Sequence, residues 1–206
     1  MADLTGYTAM TDAHGGESAA GIVHKYMQLV DSALAGNANV IQRIGDQVVI
    51  ISDRATDILL TAQHLNQVTS DEHHFLSIHG GLHFGPIFVQ GSNLFGSTVN
   101  VASRIMTIAQ RGEILCSGSF LLQLPDKTEF TSIGLHKLKN VVDECELFQL
   151  NTSVNPHLQI DPVCHMQIDL SKCSHSITVD QTTYHFCSLH CKNLFAAAPG
   201  AFISNK

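Results

Sequence analysis

The chain of 206 residues has few basic residues and no long apolar runs. Lysine and arginine together number 11 against 18 acidic residues, which gives a formal net charge of -7. Because no basic patch stands out, we do not expect binding to nucleic acid. The longest apolar stretches, such as residues 48–51, are too short to cross a bilayer. No basic segment followed by an apolar one opens the chain, so neither a signal peptide nor membrane contact is expected.

The composition that remains is typical of a globular protein. Hydrophobic residues make up 44% of the chain and charged residues 14%, which excludes a disordered chain. The length allows one full domain and a second small one. We expect a cytoplasmic protein, and cysteines in the cytoplasm stay reduced. The six cysteines are therefore expected to be thiols or metal ligands and not disulfides.

Residues 93–104 run from a glycine-containing loop into a predicted helix. Asn100 and Arg104 are four residues apart, which places both side chains on one helix face, one turn apart. An amide suits a ribose hydroxyl, and a guanidinium suits a phosphate oxygen. Two ordinary surface side chains would give the same spacing, so the neighbouring motifs have to decide.

Three motifs in order resemble class III nucleotidyl cyclases, the family that makes cyclic AMP and cyclic GMP. Residues 96–104, Gly-Ser-Thr-Val-Asn-Val-Ala-Ser-Arg, resemble its Gly-x-x-Val-Asn-x-Ala-x-Arg segment. Residues 3–8, Asp-Leu-Thr-Gly-Tyr-Thr, are similar to its Asp-Ile-x-Gly-Phe-Thr opening, and residues 44–50 to its Gly-Asp hairpin. With the predicted alternation of hairpins and helices, this indicates an α+β fold, a ferredoxin-like sheet with helices on one face.

The resemblance implies a role for each matching residue. Asp3 and Asp46, with the backbone carbonyl of Leu4, would hold two Mg²⁺ or Mn²⁺ ions. Asn100 would orient the ribose, and Arg104 would stabilise charge on the α-phosphate. The other expected triphosphate contacts are the backbone N–H groups of Gly6, Tyr7 and Thr8 and the side chain of Lys139.

The two positions that read the base depart from the common patterns of the family. Gln42 precedes Asp46 by four residues, and Asn93 precedes Asn100 by seven. Adenylyl cyclases usually carry Lys and either Asp or Thr there, and guanylyl cyclases carry Glu and Cys. A neutral amide both donates and accepts, so it can face either purine. We favour ATP as the substrate and leave GTP open.

In this family the aspartates come from one protomer, and the base-reading residues, Asn and Arg from the other. A chain that carries all of them implies a homodimer with two equivalent sites. Only Met1 and Ala2 precede Asp3, so we expect either that the true start lies upstream or that the first strand is truncated. Such a strand would leave Asp3 on a fraying end.

The composition changes near residue 150, where a polar, turn-rich segment begins. We predict a cyclase domain over residues 1–152, a linker over 153–160 and a small domain over 161–206. Residues 161–164, Asp-Pro-Val-Cys, and 184–191, Tyr-His-Phe-Cys-Ser-Leu-His-Cys, resemble a YHS domain, a relative of the TRASH metal-binding modules.

Three cysteines of this tail, Cys164, Cys187 and Cys191, are candidate ligands for Zn²⁺ or Cu⁺. Zinc needs a fourth ligand, and the sequence leaves the choice open among His190, His165 and Cys173. Three reduced cysteines in an ordinary small domain are the alternative. Five other histidines are expected to be solvated or to lie in the core: His64, His73, His74, His79 and His83.

The first hypothesis is thus an active homodimeric cyclase with a metal-binding tail that regulates it. The second is a catalytically inactive cyclase-like module that binds nucleotide or dimerises while the tail senses metal. A metal chaperone or storage module on a scaffold domain is the third. Joint presence of Asp3, Asp46, Asn100 and Arg104 favours the first, because an inactive domain has no chemical need for them.

Overall fold

The computed structural model describes residues 1–91, 93–125, 129–141, 143–152 and 157–203. The chain begins with β1 (Ala2–Leu4), α1 (Tyr7–Ala33), β2 (Asn39–Ile44), β3 (Gln47–Ile51), α2 (Ala55–Asp71), β4 (Ile78–Leu82), β5 (Phe88–Gln90) and β6 (Asn93–Phe95). It continues with α3 (Ser97–Ile108), β7 (Ile114–Ser117), α4 (Gly118–Leu121), β8 (Phe130–His136) and β9 (Cys145–Leu150). The tail holds β10 (Leu158–Ile160), β11 (Gln167–Asp169), β12 (His175–Val179), β13 (Thr182–Phe186), α5 (Leu189–Ala197) and α6 (Pro199–Ile203).

Seven strands form one sheet in the order β2-β3-β1-β4-β7-β9-β8. The pair β4–β7 is parallel, and the other described pairs of this sheet are antiparallel. The first six elements of the chain follow the order β1-α1-β2-β3-α2-β4. Their four strands lie in the order β2-β3-β1-β4, which is the ferredoxin-like arrangement. The predicted α+β fold class is confirmed.

The first strand is short but lies inside the sheet. Ala2 pairs with Val48 on one side and Gly80 on the other, and Asp3 lies opposite His79. The amino group of Met1 donates to the carbonyl of residue 81 at 2.9 Å. Because a strand paired on both sides has no free edge, the expectation that Asp3 would fray is wrong.

Helix α1 consists of two helical segments that meet at a break. Gly15 has φ 82° and ψ 169°, a backbone conformation that only glycine adopts at little cost, and it interrupts the helix after His14. The second segment packs against α2 and buries Tyr26, Val30 and Ala33. The first segment runs from Tyr7 to His14. Because it is only about two turns long, we expect the residues that pack against it to determine its position.

Helix α3 lies unusually close to β4. A Cβ atom on Gly81 would collide with the backbone of Ala102 and Met106, so only glycine permits this approach. The helix buries Thr98, Ala102, Ile105 and Met106. Asn100 is consequently exposed and Arg104 half-buried on the remaining surface of α3.

The tail packs onto the main domain. Its hairpins β10–β11 and β12–β13 lead to α5, whose Phe195 is fully buried in the same hydrophobic core as Met10 of α1. Gln167 donates from its backbone to the carbonyl of Phe75 at 2.8 Å and from its side chain to that of Thr69 at 3.2 Å. Strand β10 occupies the last three residues of the predicted linker, and residues 153–156 lie outside the described ones.

Among the described parts of the chain, no helix combines the length and the apolar character that a membrane span requires.

Candidate functional site

Two carboxylates lie near the end of strand β1, one on the strand itself and one in the neighbouring hairpin turn. Asp3 lies on β1, and Asp46 lies in the two-residue turn that joins β2 to β3, where Gly45 has φ 63°. The two carboxyl groups line one cavity. Burial, followed by the charge of Asp3, raises the pKa of Asp46 to about 6, and burial also raises the pKa of Asp3. Two carboxyl groups that resist joint ionisation attract a cation to the gap between them.

Neighbouring groups hold this pair and leave room for a hydrated ion. The backbone N–H of Leu4 donates to Asp3 Oδ1 at 3.1 Å, and His79 Nδ1 lies 3.0 Å from Thr5 Oγ1. The buried Tyr26 hydroxyl has no hydrogen-bond partner among the described residues. Burial, and then the charges of Asp3 and Asp46, raise the pKa of this hydroxyl. A buried donor beside two carboxylates suits an ion that retains water, so these residues fit Mg²⁺ or Mn²⁺.

A cavity of about 490 Å³ opens beside the two carboxylates. The start of α1 forms another wall, and the first N–H groups of a helix have no intrahelical acceptor, so they attract anions. The cavity therefore brings a cation site and an anion site together. Its lining residues are Asp3, Leu4, Gly6, Tyr7, Thr8, Ala9, Asp12, Asp46 and His165.

The other predicted site residues lie outside the described lining of this cavity: Gln42 on β2, Asn93 on β6, Asn100 and Arg104 on α3, and Lys139 after β8. Asn93, Asn100 and Lys139 are exposed. The cavity that holds the carboxylates is therefore lined by only part of the predicted site residues.

A second cluster joins the tail to α1. The ligand atoms of His14, Cys164, Cys187 and Cys191 all lie within 4.8 Å of one another. The Sγ atom of Cys187 is 3.5 Å from that of Cys164 and 3.6 Å from that of Cys191. Hydrogen bonds from Cys164 and Cys187 lower the pKa of the Cys191 thiol to about 4, so the cluster favours a thiolate. The three predicted cysteines converge, and their fourth neighbour is a histidine that the sequence did not indicate.

None of the three predicted fourth ligands occupies that position. His190 Nε2 lies 3.0 Å from the carbonyl of Ala13, and this contact requires Nε2 to carry the proton. Cys173 Sγ donates to the carbonyl of His175 at 3.3 Å. His165 lies against Gly6 at the cavity. These geometries correct the choice that the sequence left open.

Asp161 holds the two loops that carry the cysteines. It is fully buried, and its Oδ1 accepts from the backbone N–H of Val163 at 2.8 Å and of Cys164 at 3.3 Å. Its Oδ2 accepts from the backbone N–H of Cys187 at 2.8 Å. Burial raises the pKa of this carboxyl, and the hydrogen bonds from Cys187 and Val163 act in the opposite direction. Asp161, three residues before the first cysteine of the cluster, therefore orients the loops of Cys164 and Cys187.

Comparison with known proteins agrees with this architecture. The family of adenylate and guanylate cyclase catalytic domains matches residues 1–152, and the YHS domain family matches residues 159–206. The chain therefore belongs to the class III nucleotidyl cyclase family and carries a C-terminal YHS domain.

The chain is also similar to individual relatives and solved structures. An adenylate cyclase from Streptomyces griseus is 28% identical over 60% of this chain and 31% of its own length. This chain thus spans about a third of the curated relative. A solved adenylate/guanylate cyclase/hydrolase from Silicibacter pomeroyi is 26% identical with a TM-score of 0.64, covering 74% of this chain and 94% of that one. A guanylate cyclase domain from Catenaria anguillulae has a TM-score of 0.66 at 18% identity, covering 74% of this chain and 94% of that one, which shows the fold.

The carboxylate pair leads to a prediction about stability without metal. Because the pKa of Asp46 rises from 3.8 to about 6, its ionised form is disfavoured in the fold. Ionisation of Asp46 therefore lowers the free energy of unfolding. This loss grows as the pH rises from about 3.8 to about 6 and is complete above pH 6. We expect Asp46→Asn to raise the free energy of unfolding by about 1 kcal/mol at pH 8, after allowance for solvent screening.

Urea unfolding in EDTA at pH 8 and pH 4 measures this effect, which should vanish at pH 4. Asp53→Asn, at an exposed position after β3, is the control. An equal change for Asp46→Asn at both pH values would contradict the prediction.

Proposed function

We propose that the chain is a nucleotidyl cyclase that converts ATP, with GTP as the less favoured substrate, to a 3′,5′-cyclic nucleotide and pyrophosphate. The proposal rests on one observation above all. The carboxyl groups of Asp3 and Asp46 border the same cavity as the start of α1. A metal–triphosphate complex needs this combination of carboxylates and backbone donors.

Two divalent cations, when held by Asp3, Asp46 and the carbonyl of Leu4, would lower the pKa of the 3′ hydroxyl and neutralise the phosphates. The protein's own groups supply the rest. Backbone N–H groups of residues 6–8 bind the β- and γ-phosphates, and Lys139 adds charge there. Asn100 holds the ribose so that its 3′ oxygen faces the α-phosphorus. Arg104 stabilises the charge that builds on the α-phosphate as the bond to pyrophosphate breaks.

We propose a homodimer, because Asn100 and Arg104 are not among the described residues that line the cavity of Asp3 and Asp46. The β5–β6 hairpin leads directly into α3 and exposes Phe88, Val89 and Phe95. The rings of Phe88 and Phe95 lie 6.3 Å apart, so they form one apolar patch beside Asn93. A two-fold dimer across this patch would bring Asn100 and Arg104 to the carboxylates of the second protomer.

The hairpin patch can be tested by introducing a charge. We expect Phe88→Glu to weaken dimerisation by about 30-fold or more, as for the loss of a central interface anchor. Cyclase activity should fall in proportion to the dimer fraction. Leu122→Glu is the matched control, because Leu122 is 71% exposed but follows α4. Light scattering over a concentration series reads the result, and an unchanged dimer in the Phe88 variant would refute this interface.

For the base, Gln42 and Asn93 are the proposed readers. Because both are neutral amides, they re-pair at low cost and should discriminate only modestly between purines. We expect kcat/KM for ATP to exceed that for GTP by about tenfold. This ratio corresponds to a difference of roughly 1.4 kcal/mol in transition-state binding. Competition between the two nucleotides measures it. Gln42→Glu together with Asn93→Cys should reverse the preference toward GTP.

The YHS domain is proposed to bind a soft cation through Cys164, Cys187 and Cys191, with Zn²⁺ favoured over Cu⁺. We place the protein in the cytoplasm, where nucleoside triphosphates and reduced thiols are both found.

A second candidate function is a cyclase-like module that binds nucleotide without turning it over. One observation favours it: His165 of the tail lines the cavity that the triphosphate would enter. Measurement of nucleotide binding and product formation on the same sample separates the two candidates. Binding with no product, from a sample confirmed to be dimeric, would favour the inactive module.

A further inference from the structure

The cluster of three cysteines has a fourth member that comes from the cyclase domain. His14 lies on the first segment of α1, immediately before the break at Gly15. Its Nε2 is 3.5 Å from Cys187 Sγ and 3.4 Å from Cys191 Sγ. A tail that bound metal by itself would need no ligand from this helix.

The spacings are those of a tetrahedral zinc site. Zinc–sulfur bonds of about 2.3 Å and zinc–nitrogen bonds of about 2.0 Å imply edges of roughly 3.8 Å between sulfurs and 3.5 Å between sulfur and nitrogen. The Sγ atom of Cys187 lies 3.5 and 3.6 Å from the other two sulfurs, and His14 Nε2 lies 3.5 and 3.4 Å from Cys187 Sγ and Cys191 Sγ. The residues present therefore fit a four-coordinate soft cation with a closed ligand set.

Several hydrogen bonds within the protein hold these four side chains in place. Asp161 fixes the loops of Cys164 and Cys187, and Ser188 Oγ accepts from the backbone N–H of Cys191 at 3.2 Å. The hydrogen bond from His190 to the carbonyl of Ala13 also links the tail to α1, one residue before His14. Ligands that are already oriented lose little freedom when an ion binds.

The metal cluster is connected in two ways to residues 6–8, the phosphate loop of the proposed function. His14 ends the helical segment whose first residues form that loop. His165, the residue after Cys164, packs against Gly6. A Cβ atom added to Gly6 would lie only 2.5 Å from the Cβ atom of His165. Arg111, from the loop after α3, donates to the carbonyl of His165 at 3.0 Å. The cluster and the loop are thus joined by α1 on one side and by residues 164–165 on the other.

We propose that His14 is the fourth ligand of a zinc site shared by the two domains, and that zinc there fixes the phosphate loop of the cyclase domain. The tail is then a working part of the catalytic domain and not a separate sensor attached by a linker. The consequence for nucleotide turnover rests on the proposed cyclase function, whereas the ligand set and its effect on α1 do not.

Zinc binding to the full chain in a reducing buffer tests the ligand assignment. We expect one zinc per parent chain and a loss of affinity of at least about 100-fold in His14→Ala, since even an outer-shell partner is worth 10–100-fold. His14→Cys should retain zinc, because it restores a fourth soft ligand. His24→Ala, at an exposed position of the same helix, should match the parent. Cobalt substitution should report four-coordinate thiolate binding in the parent and an altered spectrum in His14→Ala.

Hydrogen exchange on the same proteins tests the coupling. Zinc should slow amide exchange of residues 7–14 in the parent and in His24→Ala, and should leave it unchanged in His14→Ala. Parental zinc affinity in His14→Ala would overturn the ligand assignment. Exchange in residues 7–14 that ignores zinc in the parent would overturn the coupling. Neither readout needs turnover, so an inactive cyclase would refute the proposed function without affecting these outcomes.

Discussion

Mixing the Asp46→Ala protein with the Arg104→Ala protein should restore cyclase activity that neither protein has alone. Each variant by itself lacks a metal-binding carboxylate or the α-phosphate donor in both of its sites. Either loss should reduce kcat by about 10³-fold or more. In a mixed dimer, one site combines Asp46 of one protomer with Arg104 of the other and is intact. Random exchange of subunits should therefore recover about one quarter of the parental activity.

A second mixture provides the control. Asp3→Ala and Asp46→Ala damage the same half of the site, so no combination of these protomers yields an intact one. This mixture should stay inactive at every ratio. Recovery there, or no recovery in the first mixture although its proteins are folded and dimeric, would contradict a site shared between protomers. Circular dichroism and light scattering on each protein before mixing establish both conditions.

Asp161→Ala should produce a large loss of stability for a change that removes a polar side chain. The substitution leaves the backbone N–H groups of Val163, Cys164 and Cys187 without their buried acceptor. Hydrogen bonds to a charged group contribute about 1.5–3 kcal/mol each, and unpaired buried donors add a desolvation cost. With some relaxation of the loops, we expect a cost of about 3–5 kcal/mol and weakened zinc binding in a variant whose cysteines are all retained.

Asp169→Ala is the matched control for this change. Asp169 also accepts hydrogen bonds in the tail, but its partners belong to its own turn, at Ser171 and Lys172. Its loss should change the stability far less than the loss of Asp161 and leave zinc binding intact. Thermal unfolding with and without zinc compares the two variants. Equal effects of both substitutions would show that Asp161 has no special role in orienting the ligands.

The fold was predictable because its signals are local. The glycine-containing loop before Asn100 and the turn at Asp46 each fix a short piece of backbone, and their order along the chain matches one family. Asp3 and Asp46 lie 43 positions apart in sequence, yet the sheet pairing that brings them together follows from the fold alone. The convergence of Cys164, Cys187 and Cys191 could likewise be inferred from motif spacing within one small domain.

Contacts between the two domains could not be predicted in this way. His14 lies in a helix of one domain and joins a cluster of the other, and no spacing rule connects residues that far apart in the chain. The break at Gly15 was the available signal, because a glycine in an otherwise helical pattern often has a functional reason. Tyr26 shows the same limit. Its buried position in α1 could be predicted, but packing alone leaves its hydroxyl, under the influence of Asp3 and Asp46, without a hydrogen-bond partner among the residues described.

The most direct test of the central claim is the identity and amount of the product. Purified full chain, incubated with ATP and either Mg²⁺ or Mn²⁺, should release 3′,5′-cyclic AMP and pyrophosphate in equal amounts, resolved by chromatography and mass spectrometry. Both products should disappear in Asp46→Ala. Release of ADP and phosphate, or no product from a dimeric sample that binds ATP, would contradict a nucleotidyl cyclase.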